Sequence, residues 1–272
     1  MTVFRRLFRR HDQISVLRLE GVIGSGGGRF AGPALTDASL APVIEAAFRG
    51  KPKAVALAIN SPGGSAVQSS LIAARIRRLS EDKGIPVHAF VEDVAASGGY
   101  WLATAADDIH VDPSSIVGSI GVIAASFGLH ELIARHGIER RVHTAGADKS
   151  LLDPFRPERP ADVARLEALL ADIHATFIAQ VRSRRGSRLK ADTDLFTGQI
   201  WVGQGGIDVG LADGIGHLEP VMTARYGDRV RFRRLGQRKP LLRRLGLEAV
   251  FGAALATAED RRHWARFGLG AP

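Results

Sequence analysis

Three features of the 272-residue sequence predict an α/β protein: short apolar runs, amphipathic segments alternating with them, and glycine-rich turns where they meet. Ile14–Leu19 reads as the first strand and leads into the glycine-rich stretch Gly24–Gly28. Leu35–Phe48 has helical spacing, with Asp37 close to its start. Ala54–Ile59 is an apolar strand that stops at Asn60-Ser61-Pro62-Gly63-Gly64, and helical signal resumes at Ser65 through Leu71, Ile72, Ile76 and Leu79. Pro86–Val91 is the next strand, and Ala95-Ala96-Ser97-Gly98-Gly99 turns it into a small-residue helix that ends near Ala106. Asp108–Val111, Gly121–Ala125 and Arg140–Thr144 read as further strands, with Leu129–His136 as a helix. Ala161–Arg185 is one long helix whose Val163, Leu166, Leu169, Leu170, Ile173, Phe177 and Ile178 form a single stripe. A last helix around Gly203–Gly210 leads into Leu211-Ala212-Asp213.

Composition narrows the function. With 45% hydrophobic and 24% charged residues the chain is neither disordered nor collagen-like. It has no cysteine, which excludes disulfides, thiolate metal sites and a thiol nucleophile. The net charge of +9 is concentrated at the ends. Met1–His11 interleaves Arg5, Arg6, Arg9 and Arg10 with Phe4, Leu7 and Phe8, and Arg225–Arg244 holds nine basic residues against Asp228. These segments suggest a division into a basic amphipathic stretch at 1–12, a main domain at 13–224 and a basic extension at 225–272. Their chemistry suits peripheral contact with an anionic membrane. Nothing resembles a nucleic-acid-binding module, so no nucleic-acid partner is expected. No apolar run is long enough to span a bilayer and no secretory signal pattern is visible, so the expected location is cytoplasmic, at most peripheral to the inner face of the membrane.

Two junctions carry the chemistry. At the first, Pro62 ends the strand, while Gly63 and Gly64 permit positive φ and turn N–H groups outward at a helix start. At the second, Ser97 precedes Gly98 and Gly99, which places a hydroxyl and the next N–H at a helix N-terminus. Each has a structural alternative: a Gly-Gly turn can serve close packing, and Ser97 can be a plain N-cap. A serine nucleophile needs a base. None of the nine histidines reads as site-like: His88 and His110 sit within strand patterns, His130 and His136 on a helix and His143 in another strand. Lys149 lies in the small-residue loop Thr144-Ala145-Gly146-Ala147-Asp148-Lys149-Ser150. A lysine acts as a base only if its pKa drops by roughly 3 units, which requires burial away from carboxylates. Taken by itself, Lys149 reads as a surface lysine rather than a base.

Taken together, Asn60-Ser61-Pro62-Gly63-Gly64, Ala95-Ala96-Ser97-Gly98-Gly99-Tyr100, Gly118-Ser119-Ile120-Gly121-Val122, Lys149-Ser150 with Pro154-Phe155, and Phe196-Thr197-Gly198-Gln199-Ile200-Trp201 leading to Gly210-Leu211-Ala212-Asp213 resemble the signal peptide peptidase A (protease IV) family of serine peptidases. The motifs occur in the family's order and cover about residues 14–220. The resemblance implies a crotonase-like (ClpP-like) α/β fold of stacked ββα units in its short, single-domain form. It implies a Ser–Lys dyad with Ser97 as nucleophile, Lys149 as general base and Ser119 orienting the lysine. Gly64 and Gly98 would form the oxyanion hole and Gly63 would shape the turn, with no metal or cofactor. Hydrophobic peptides, including signal-peptide remnants, would be the substrates. Short forms of the family assemble as rings or domes, with the lysine able to come from a neighbouring protomer. Gln199 stands where arginine is more usual. The alternatives are a crotonase-type acyl-CoA enzyme recruiting Glu92 and Asp93, and an inert membrane-associated scaffold. A ClpP-type Ser–His–Asp site lacks its histidine in Ile120–Ala125.

Overall fold

The computed structural model describes residues 12–24, 35–146, 149–236 and 263–269. Two compact units result, one built from the chain up to Ile120 and again from Phe177, the other from Gly121–Thr176. The N-terminal segment 1–11 and residues 237–262 lie outside the described residues.

The first unit is a largely parallel sheet with helices on it. Its strands are β1 (Gln13–Glu20), β2 (Ala54–Ser61), β3 (Val87–Ala96), β4 (Asp108–Val111), β5 (Ile116–Gly118), β6 (Ile200–Val202), β7 (Gly214–Ile215) and β8 (Arg231–Leu235). The main order is β6-β5-β3-β2-β1-β8, with β4 pairing β3 and β7. Among the described strands only β5 and β6 pair antiparallel. Every residue of β2 is buried, as suits a central strand covered on both faces. The helices are α1 (Asp37–Ala47), α2 (Ala66–Lys83), α3 (Gly98–Ala103), α6 (Gln204–Asp208), α7 (Leu218–Tyr226) and the end of α5 (Pro160–Arg185). Thr36 and Ser39 close a reciprocal cap on α1, and Gly84 ends α2 at φ 60°.

The main core packs Leu17, Leu57 and Ile59 of the sheet against Ile44 of α1, Ile72 and Ile76 of α2 and Tyr100 of α3. On the opposite sheet face Ile14, Val16, Ala54, Ala56, Ala58 and Phe90 meet Met222 of α7. The segment from 225 onward therefore contributes the end of α7 and the edge strand β8, which pairs with β1 from Gln13↔Arg231 to Leu17↔Leu235.

Strand β3 positions the site. It pairs with β2 on one side; on the other it pairs first with β4 (His88–Val91) and then with β5 (Val94–Ala96). The register passes from Ile59↔Val91 to Ser61↔Ala95, so β3 carries two extra residues at this bulge. They are Glu92 and Asp93. Arg18 donates to Glu92 at 2.8 Å and Asn60 donates to Asp93 at 2.6 Å, which ties the bulge to β1 and β2.

In the second unit α4 (His130–Arg135) and the start of α5 are its helices. Gly121–Ala125 and Arg140–Thr144, expected as strands, are irregular. Neither finds a sheet neighbour, without which alternation alone does not make a strand. The α5 stripe splits: Phe177 and Val181 are buried in the first unit, whereas Leu169 and Ile173 are exposed.

Candidate active site

The chain leaves β2 through Ser61, Pro62 and two glycines. Gly63 and Gly64 have φ of 105° and 139°. Glycine is required at both. A Cβ on Gly63 would come within 2.9 Å of the Ala96 carbonyl and the Gly98 nitrogen, and one on Gly64 would overlap the Ile23 backbone. Ile23, in the extension of β1, donates to the Gly63 carbonyl at 2.8 Å and accepts Ser65 N–H at 2.8 Å. In a trans peptide the N–H points opposite to its carbonyl. Gly64 N–H is therefore turned away from β1, toward the side on which β3 lies.

Ser97 follows β3 at φ 52°, ψ −122° and starts α3 without capping it through its side chain. Its N–H donates to Gly118 of β5 at 2.8 Å, and its carbonyl accepts Trp101 N–H at 3.0 Å. Gly98 N–H then faces out of the helix start. Neither Gly64 N–H, Gly98 N–H nor the Ser97 hydroxyl has a hydrogen-bond partner among the described residues. Ser97 is half-buried. A hydroxyl beside two unspent N–H donors can attack a carbonyl carbon while they receive its oxygen.

Ser119 is the next position beyond the Ala96↔Gly118 rung, so β3 and β5 deliver Ser97 and Ser119 side by side. Ser119 also has positive φ, 52°, and its N–H donates to the Gln199 carbonyl at 2.7 Å. The antiparallel strand β6 thus brings the Phe196–Trp201 motif to this place. The structure gathers Gly63, Gly64, Ser97, Gly98 and Ser119 in one unit. Lys149 belongs to the other unit and is exposed there. Its loop is braced by the buried Asp153 carboxylate. Asp153 accepts Phe155 N–H and two Arg140 donors, which hold it below the usual carboxylate range.

Two supporting residues had no role assigned from the sequence. Ser61, fully buried, donates to the Gly21 carbonyl at 2.7 Å and accepts Gly63 N–H at 3.3 Å, which ties the turn to β1. Ser69 of α2 sits against Gly98, where a Cβ would overlap its hydroxyl. The Asn60–Gly64 motif contained Ser61 but not its partner. Glu92 and Asp93, the carboxylates a crotonase-type enzyme would recruit, are engaged in the bulge by Arg18 and Asn60. Among the described residues no group of three or more His, Asp or Glu side chains is placed to hold a metal ion. Nor is any described helix long and apolar enough to cross a membrane.

Below the site, α5 grips α3 from its far end. Trp101 stacks on Phe177 with ring centroids 4.8 Å apart, and Arg184 donates to the Thr104 and Ala106 carbonyls. Buried Arg185 forms a two-pronged pair with Asp213 at 2.7 and 3.0 Å. Burial alone would raise the Asp213 carboxyl, but Arg185 outweighs it and holds it below the usual range.

Comparison with known proteins agrees with this architecture. A protein of Brucella abortus named Na(+)/H(+) antiporter NhaA is 45% identical over 97% of this chain, which spans 38% of that protein. The chloroplastic serine protease SPPA of Arabidopsis thaliana is 32% identical over 76% of this chain and 31% of its own length. Protease 4 of Salmonella typhi is 30% identical over 74% of this chain and 31% of its own. The chain thus spans about a third of these relatives. Among solved structures, a variant of the 1510-N membrane-bound stomatin-specific protease superposes with a TM-score of 0.51 at 15% identity, covering 82% of this chain and 98% of that one. That likeness shows the fold. The model of peptidase family S49 matches residues 80–227, more than half of the chain and the stretch holding Ser97, Ser119 and Lys149, and the chain belongs to that family of serine peptidases.

Proposed function

We propose that the chain is an endopeptidase that cuts hydrophobic peptides, signal-peptide remnants among them, with Ser97 as nucleophile and Lys149 as general base. The observation that carries this reading is the Ser97 hydroxyl on a strained elbow, which with two neighbouring N–H groups has no hydrogen-bond partner among the described residues. A neutral Lys149 amine takes the Ser97 proton as Oγ bonds to the scissile carbonyl carbon. The oxyanion rests on Gly64 and Gly98 N–H. The ammonium, oriented by Ser119, returns the proton to the leaving amine as the C–N bond breaks. Water then attacks the acyl-enzyme, giving its proton to the lysine, which passes it to Ser97 Oγ as the ester bond breaks, so that the acid product leaves and the hydroxyl and neutral amine are restored. The steps use no metal or cofactor.

An amine that is neutral at working pH needs dry surroundings, and Lys149 is exposed in the single chain. The reading therefore includes a homo-oligomer, a ring or dome, in which a neighbouring protomer covers or shares the lysine. Exposed Val67 and Leu71 on α2, and Leu169 and Ile173 on α5, support such packing. The basic termini would bring the assembly to an anionic membrane surface on the cytoplasmic side. The test is hydrolysis of a hydrophobic reporter peptide by wild type, Ser97→Ala and Lys149→Ala, each sized on a column. Loss in both variants at unchanged size is expected; hydrolysis retained by either rejects the dyad.

A further inference from the structure

We propose that the C-terminal segment His263–Leu269 is a positioning element of the active site, with Trp264 clamping from behind the two strands that present Ser97 and Ser119. The proposal rests on the reading of Ser97 as nucleophile. Trp264 is 2% exposed and packs in one cluster with Val22, Val94 and Ala96, joined by Ile116, Phe267 and Leu269. Val94, Ala96 and Ile116 belong to the β3·β5 ladder. Val94↔Ile116 and Ala96↔Gly118 are its first and last rungs, the last directly before the two serines. Val22 precedes Ile23, whose backbone holds the Gly63–Gly64 turn.

This part of the sheet needs bracing. β5 is three residues long, and the Glu92–Asp93 bulge separates its ladder from the rest of β3. Downstream of the bulge, the main helical core covers one face through Ala95 and Val117. On the other face the ladder meets Trp264 and its neighbours. An indole filling that face holds the β3–β5 spacing, and with it the direction of the strained Ser97 elbow. Trp264 lies 145 residues beyond Ser119 in sequence, so its grip on the site adds a long-range constraint that the motifs do not contain.

The test compares wild type, Trp264→Ala, Trp264→Phe, Phe267→Ala and a chain ending at residue 262. Readouts are kcat, KM, the rate of fluorophosphonate labelling of Ser97, and Tm. Trp264→Ala and the shortened chain are expected to lose about tenfold in kcat and in labelling, with KM within about twofold, because misplacement by a fraction of an ångström suffices for this. Trp264→Phe, which keeps an aromatic wedge, restores most of the loss. A synthetic peptide of residues 263–272 added to the shortened chain restores part of it. Lowered Tm with unchanged kcat and labelling at 25 °C would show a merely structural role and overturn the clamp. If the shortened chain does not fold, Phe267→Ala decides: a graded fall in kcat supports the clamp and an unchanged kcat removes it. Ser97→Ala is the separate control. Activity surviving there defeats the nucleophile reading and this proposal with it, whereas a dead Ser97→Ala beside a fully active shortened chain defeats the clamp alone.

Discussion

Ser97 sits in a region of backbone space that glycine tolerates and serine does not, at φ 52°, ψ −122°. Such a conformation costs a non-glycine residue of order 1–3 kcal/mol. The strain is functional in this account, because it turns the hydroxyl out of α3 and toward the Gly64 and Gly98 donors. Ser97→Gly should therefore raise stability by about 1 kcal/mol while abolishing hydrolysis; a melting curve shifted downward would contradict this. Ser61 gives a second prediction at this scale. Ser61→Ala removes both the Gly21 and Gly63 bonds and should lower kcat about tenfold with little change in KM, since the oxyanion turn loosens while substrate contacts remain. Steady-state kinetics check it. The turns themselves were legible in the sequence, since Pro-Gly-Gly and Ser-Gly-Gly at strand ends leave few backbone choices. The part played by Ser61 was not: its partner Gly21 lies 40 residues away, and only strand pairing brings them together.

At the scale of elements, α5 is the longest helix among the described residues, and its C-terminal turns act as a brace rather than a cover. Arg184 satisfies carbonyls at the end of α3, and Arg185 is buried against Asp213 and the Gly210 carbonyl. Asp213→Asn would leave a buried guanidinium without its counter-charge and should cost about 3–5 kcal/mol, read by urea unfolding. Asp108, held by His110, His88 and Arg225 against the cost of its burial, is likewise below the ordinary carboxylate range. Folded-state values below the unfolded ones mean that both carboxylates contribute stability at neutral pH and lose it as pH falls. Melting temperature should be flat from about pH 8 to 5 and drop below about pH 4, with a shallower drop in Asp213→Asn. A stability maximum near pH 4 would contradict this. Most element positions were readable from periodicity, β4 to the residue. Two expected strands failed because Gly121–Ala125 and Arg140–Thr144 have no strand beside them. Strand β5 escaped notice because three residues are too few to show alternation, although Ser119 follows directly on it.

For the whole molecule, the sequence suggested a single catalytic domain, and the structure divides it into two units with Ser97 in one and Lys149 in the other. The motif order led to the expectation that both residues share one site, but no local pattern reports how a lysine 52 positions later would be kept dry. Assembly answers that in the present account, and it can be tested by mixing. Ser97→Ala and Lys149→Ala chains, each inactive, should regain about a quarter of wild-type hydrolysis when unfolded together and reassembled, if each site draws its serine and lysine from different protomers. No recovery in a mixed oligomer would place both in one chain. Beneath these predictions lies the claim that Ser97 attacks the substrate. The direct measurement is the intact mass of the protein after reaction with a fluorophosphonate, followed by peptide mapping. The account predicts one adduct per active site, carried by the peptide that contains Ser97 and absent from Ser97→Ala. An adduct on another residue, or none from a chain that still hydrolyses peptides, would contradict it.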